Sequence, residues 1–215
     1  MAVSDVDICN MALGRIGHSE TILSLSERSK AAQACARFYE ASRDFVLRDF
    51  PWNFATRAVQ LAEVTGGTYP GWQHVYRYPT DCLQARQVTT AAGTRLRWYE
   101  TDPTRSDRIL RWLPPRIPFE VSSDASGRLI LTDLEEAYLV YTARITDPNL
   151  FDSMFVSALA WHLAVELVMP LAVDERRAQR AERNYAIVLS QAAAVNANET
   201  ARDPAPESGS ITARW

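Results

Sequence analysis

Apolar positions along this chain keep helical spacing at both ends and alternate, between turn residues, through the middle. Ser4 or Asp5 can cap a first helix whose stripe is Cys9, Ala12, Leu13 and Ile16, ended by Gly17. A second predicted helix begins at Ser26, with Glu27 in its first turn where a negative charge suits the helix dipole. Its expected apolar face is Cys35, Phe38, Tyr39, Phe45 and Val46, and its expected polar face carries Arg37, Glu40, Arg43 and Arg48. Pro51 ends that helix, since it lacks a backbone donor and its ring clashes with the preceding turn. Phe50, Trp52 and Phe54 crowd the exit, too much apolar area to leave wet, so Phe50, Pro51, Trp52 and Phe54 are expected to form a packed structural corner.

Beyond the corner the spacing predicts short strands at Ala58–Ala62, His74–Tyr78, Leu83–Val88, Arg95–Tyr99, Ile109–Leu113, Phe119–Ser122, Leu129–Leu131 and Tyr138–Ala143. Gly66-Gly67, Pro70-Gly71, Ala92-Gly93, Pro114-Pro115 and Ser126-Gly127 separate them. Such spacing suits an antiparallel sandwich or barrel. Helix then returns: Asp152 to Met169 is apolar nearly all round and reads as a central helix, and Asp174 to Asn196 as a long helix with an acidic start. From Ala197 the chain turns to Pro, Gly and Ser, which cannot build a core, yet it closes on Ile211, Arg214 and Trp215. The expected architecture is α+β: a helical bundle of residues 1–55 and 146–196, an inserted antiparallel β domain at 56–145, and an extended C-terminal arm at 197–215.

Composition changes this picture little. With 47% apolar and 23% charged residues the chain reads as globular rather than disordered. A net charge of −3, with Lys30 the only lysine, suits poorly a protein that coats a phosphate backbone. Cys9, Cys35 and Cys82 are odd in number and unpatterned in spacing, which points to buried apolar thiols rather than disulfides or a zinc cage. The N-terminal residues lack the design of a secretory signal, and His162, Glu166 and Pro170 interrupt the most apolar stretch, so neither export nor a membrane span is expected.

A search for chemistry returns little. The chain has no glycine-rich phosphate loop, no nucleophile elbow and no paired-cysteine metal spacing. His162 and Glu166 are four apart on one helix, too few ligands for a metal, and read as a satisfied core pair. Asp133, Glu135 and Glu136 read as a solvated turn for want of a second catalytic partner. Arg176, Arg177, Arg180 and Arg183 crowd one helix, and spacing puts Arg176, Arg180 and Arg183 on a common face, solvated or pairing across subunits, with DNA contact a lesser alternative. Trp72, Tyr76, Tyr78, Trp98, Tyr99 and Trp112 are rich enough for a sugar or base platform, although a β core and subunit interfaces use the same residues. No catalytic residue, cofactor or metal is expected.

An ordered set of short motifs carries a family resemblance. Asn10-x-Ala12-Leu13-x-x-Ile16-Gly17 is followed by Ser26-x-x-Ser29-Lys30-Ala31-Ala32, then Cys35-x-x-Phe38-Tyr39-x-x-x-Arg43-Asp44-x-Val46-Leu47. Next stand Phe50-Pro51-Trp52-Asn53-Phe54-Ala55, Pro70-Gly71-Trp72, Tyr76-x-Tyr78-Pro79 and Asp81-Cys82-Leu83. This series resembles the tail tubular protein A family of short-tailed bacteriophages, densely over residues 8–83 and more loosely to Tyr141. The resemblance implies a non-enzymatic head-to-tail adaptor of the virion, made in the host cytoplasm. It would form a homo-oligomeric ring, typically twelvefold, between the portal protein and the tail nozzle (tail tubular protein B-like), with a tail fibre as a further contact and a channel that DNA crosses without specific binding. On that reading Ile211, Arg214 and Trp215 are the interface to portal or neighbour, and Arg176, Arg180 and Arg183 the inter-subunit candidates. The rival expectations are a virion-associated cell-wall hydrolase and a soluble aromatic-lined binding module.

Overall fold

A capping box opens the first helix, α1 (Asp5–Arg15): Ser4 Oγ accepts from the Asp7 N–H at 3.1 Å, and the Asp7 carboxylate accepts from the Ser4 N–H at 2.9 Å. These bonds hold the Asp7 carboxyl below its usual pKa. The computed structural model describes residues 3–91, 117–172 and 174–198. The strands expected at Arg95–Tyr99 and Ile109–Leu113, with Trp98, Tyr99 and Trp112, lie outside the described residues, as do Ile211, Arg214 and Trp215.

The second helix, α2 (Lys30–Asp49), starts later than expected, capped by Ser29 rather than begun at Ser26. The reason is local bonding by short polar side chains. Ser26 N–H donates to Ser24 Oγ at 3.2 Å, and the Leu23 N–H donates to Glu27 Oε2 at 3.2 Å, which holds a turn against the helix. Glu27 is therefore outside α2, whose first turn has no acid. Two positions on α2 also exchange faces. Phe45, expected in the core, is 49% exposed, while Arg43, expected in solvent, is only 6% exposed and donates twice to Asp44.

Two three-stranded antiparallel sheets follow. β1 (Thr56–Gln60), β6 (Tyr138–Ala143) and β3 (Cys82–Thr89) form one, in the order β1-β6-β3; β2 (His74–Arg77), β5 (Gly127–Thr132) and β4 (Phe119–Asp124) form the other, in the order β2-β5-β4. In the first sheet Thr142 lies opposite Thr56 and Tyr138 opposite Gln60. β1 begins two residues before the expected Ala58, directly from the chain turn after α2.

Helix resumes at α3 (Ser153–Leu171), capped by Asp152, whose Oδ1 accepts from the Met154 N–H at 2.7 Å. By length and composition α3 could cross a bilayer, but Phe155, Leu159, Leu163 and Leu167 are fully enclosed, and the helix packs on α1, α2 and α4 (Glu175–Asn198). Among the described residues four helices and two antiparallel sheets make a mixed α+β fold. One continuous core draws Ile8, Trp52 and Leu159 together with Val88 and Leu139 of the first sheet. Val75, Leu129 and Leu131 form a small second cluster in the other sheet. Cys9, Cys35 and Cys82 are buried free thiols.

Candidate functional site

Arginines from two helices converge at one end of the helices. Arg15 leaves the last turn of α1 and reaches α3, where Nη1 donates to the Ser157 carbonyl at 2.7 Å and Nη2 to Ser157 Oγ at 3.1 Å. Trp161, one turn further along α3, places its ring 4.3 Å below the same guanidinium, a cation–π contact. Arg177 comes from the first turn of α4 and donates Nη1 to the Ile16 carbonyl, one of the last carbonyls of α1 left without a helical donor. Its Nε pairs with Asp174 Oδ2 at 3.1 Å.

Gly17 makes that approach feasible. Its φ of 73° is a left-handed conformation suited to glycine, and a Cβ there would stand 3.2 Å from Arg177 Nη1. Arg180 completes the wall of an open cleft of about 510 Å³, which no carboxylate among the described residues lines. Burial draws the Arg15 pKa down to about 10, which leaves it charged at neutral pH.

Of the arginines expected to share a face, Arg176, Arg180 and Arg183 are all exposed, and only Arg180 borders the cleft. Arg177 is a joint between α1 and α4. Sequence reasoning missed Arg15 and Trp161. The available signal was an arginine flanked by Gly14 and Gly17 at a helix end; its partner Ser157 lies 142 positions away.

At the other end of α4 stands the aromatic corner. Trp52 is 2% exposed, with its ring centroid 4.9 Å from Phe50, 5.2 Å from Phe155 and 6.2 Å from Phe54. Pro51 contributes its carbonyl, which accepts from Asn196 Nδ2 at 3.0 Å. Phe50 likewise offers its carbonyl to Arg86 Nη2 of β3 at 3.3 Å, tying the corner to the first sheet. A smaller cleft of about 260 Å³ opens beside it, between Phe54, Leu150 and Val195.

The remaining chemistry is sparse. His162 does not form the expected satisfied pair: its Nδ1 is buried without a hydrogen-bond partner among the described residues, and its ring stacks on Phe45 at 4.4 Å. Asp133, Glu135 and Glu136 are exposed, and Asp133 accepts from the Gln73 N–H at 3.1 Å. Tyr76 donates its hydroxyl to the carbonyls of Leu134 and Glu135, which fixes this turn against β2. Among the described residues no three His, Cys, Asp or Glu side chains are grouped so as to hold a metal. Compared with models of known protein families the chain has no match, and compared with curated proteins it likewise has none.

Proposed function

We propose that this chain is a structural head-to-tail adaptor of the tail tubular protein A kind, assembled as a ring between a phage portal and its tail nozzle. One observation carries the reading: the residues that bear the sequence resemblance are the joints of the fold. Asn10 exchanges two hydrogen bonds with the Ile22 backbone, at 2.9 and 2.8 Å, and so pins the connection between α1 and α2. Asp44 accepts from Arg43 of its own helix and from Arg144, 100 positions away, beyond β6. Trp52 seals the corner, and Asp81 gathers Arg57 at 2.8 Å and the Tyr141 hydroxyl at 3.0 Å. A likeness at joints is a likeness of framework.

On this reading residues 1–55 and 146–196 are a helical bundle that braces the ring, and 56–145 is an inserted β domain. The protein does no catalysis, takes no cofactor and resides in the virion at the head-tail junction. A twelvefold ring matches the portal, the nozzle and a fibre follow below it, and DNA passes without specific binding. α4 runs on to Asn198, two residues into the expected arm, and the arm beyond it docks on portal or neighbour through Ile211, Arg214 and Trp215; a buried Trp anchor is the side chain most often worth about 2 kcal/mol or more at an interface. Removing residues 205–215 leaves the monomer folded and prevents stable attachment to purified portal. Attachment by the truncated chain overturns the anchoring role. Failure of the full-length chain to join portal rings overturns the adaptor reading itself.

A further inference from the structure

The arginine cleft carries more positive charge than the chain around it neutralises. Arg15 is bonded to a carbonyl, a hydroxyl and an indole face, none of them an anion. Arg177 has Asp174, but the Arg180 side chain makes no hydrogen bond or ion pair among the described residues. The turn before β6 is in the opposite position. Glu135 and Glu136 are exposed there, their side chains without a cation among the described residues.

Both charges also sit away from the aromatic corner. Arg177 and Asn196 are separated by nineteen positions of α4, roughly 28 Å at about 1.5 Å per residue, and Asn196 touches the corner. Along β6 the chain runs from Thr142, beside the corner-proximal Thr56, away to Tyr138 and the acidic turn, roughly 20 Å off at about 3.3 Å per residue. Cleft and turn therefore lie away from the corner in separate elements, available to different neighbours.

We propose that the cleft receives a carboxylate of Glu135 or Glu136 from a second copy of this chain, so that copies join head to tail. The contact rests on the ring reading above and supplies its subunit interface. Two unlike patches meeting form a heterologous contact, which closes into a ring when the rotation permits. A guanidinium pair binds a carboxylate through charge-assisted, directional hydrogen bonds, and Trp161 gives the glutamate stem an apolar wall. A carboxylate is favoured over a nucleic-acid phosphate because the chain presents the complementary acid itself.

The test counts copies of the full-length chain held on purified portal rings, by sedimentation or native mass, in low and high salt. R180E and the pair E135R/E136R change exposed side chains, so each retains the wild-type melting temperature. Each raises the concentration needed for half occupancy at least tenfold, the loss expected when one partner of an interfacial charge pair is reversed. The triple variant, with both signs exchanged, returns to within about twofold of wild type, as complementary charges again meet. Normal occupancy by R180E, or a loss that the triple variant does not recover, overturns the contact and leaves the ring reading intact. A wild-type chain that never assembles on portal overturns both. Retention of a short DNA duplex by wild type but not by R180E assigns the cleft to phosphate instead.

Discussion

The indole N–H of Trp52 donates to the carbonyl of Val46 at 2.8 Å. Val46 is in the last turn of α2, where carbonyls lack helical donors, and Pro51 has no N–H to offer there. Trp52 thus satisfies the end of the helix that Pro51 stops and fills the core with one side chain. Trp52→Ala is expected to cost about 3–5 kcal/mol. Trp52→Phe keeps the aromatic packing but strands the Val46 carbonyl, for about 1–3 kcal/mol. Urea melts of both variants check the order. Equal, small losses would mean that neither the packing nor the bond stabilises the corner.

Gly17 and Gly66 offer a matched comparison. Both have left-handed backbones, with φ of 73° and 72°, but a Cβ at Gly66 meets nothing within 4 Å, whereas at Gly17 it meets Arg177. Gly66→Ala should show the conformational cost alone, about 1–2 kcal/mol. Gly17→Ala should exceed it, and the excess should vanish in an Arg177→Ala background. An excess that persists without Arg177 would locate the strain elsewhere.

Legibility in the sequence tracks the distance over which each residue acts. Ser4 and Asp152 cap with their own neighbours, and β6 spans Tyr138–Ala143 as its short run of β-branched, aromatic and apolar residues predicts, because these signals are local. Ser26 and Ser29 are alike on paper, and what separates them is the competing Ser24–Ser26 and Leu23–Glu27 bonding. Arg43 reads as a surface residue because spacing on one helix says nothing of what packs over it. The arginine cleft was least visible. Its walls come from α1, α3 and α4, and periodicity within any one helix cannot show what another presents.

Removing residues 57–144 and joining Thr56 to Ile145 by a short linker tests the proposed division into bundle and insert. Thr56 and Thr142 are directly paired across β1 and β6, so the cut ends are already close. The remaining helices retain Phe155, Leu159 and Leu163 as a common core but lose Val88 and Leu139 from it, together with Arg86 and Arg144. A helical far-ultraviolet spectrum with a cooperative melt at reduced temperature is the expected result. An unfolded chain would show that helices and sheets fold only together.

Acid should weaken this protein through His162. Burial lowers its pKa below the ordinary 6.5, with Glu166 and Asp49 opposing that shift more weakly. Its Nδ1 has no hydrogen-bond partner among the described residues, and the ring is packed between Phe45 and Tyr185, at 4.4 and 5.4 Å. As pH falls, the unfolded chain takes up a proton at the ordinary value while the folded chain does not. The unfolded state then binds more protons, so stability is complete above that pKa and declines as pH drops toward the folded one. His162→Phe keeps a ring between the two aromatics and removes the titration. Its denaturation midpoint should therefore fall less steeply than the wild-type value between about pH 7 and 5. Parallel slopes for the two proteins would show that His162 contributes nothing to the acid sensitivity.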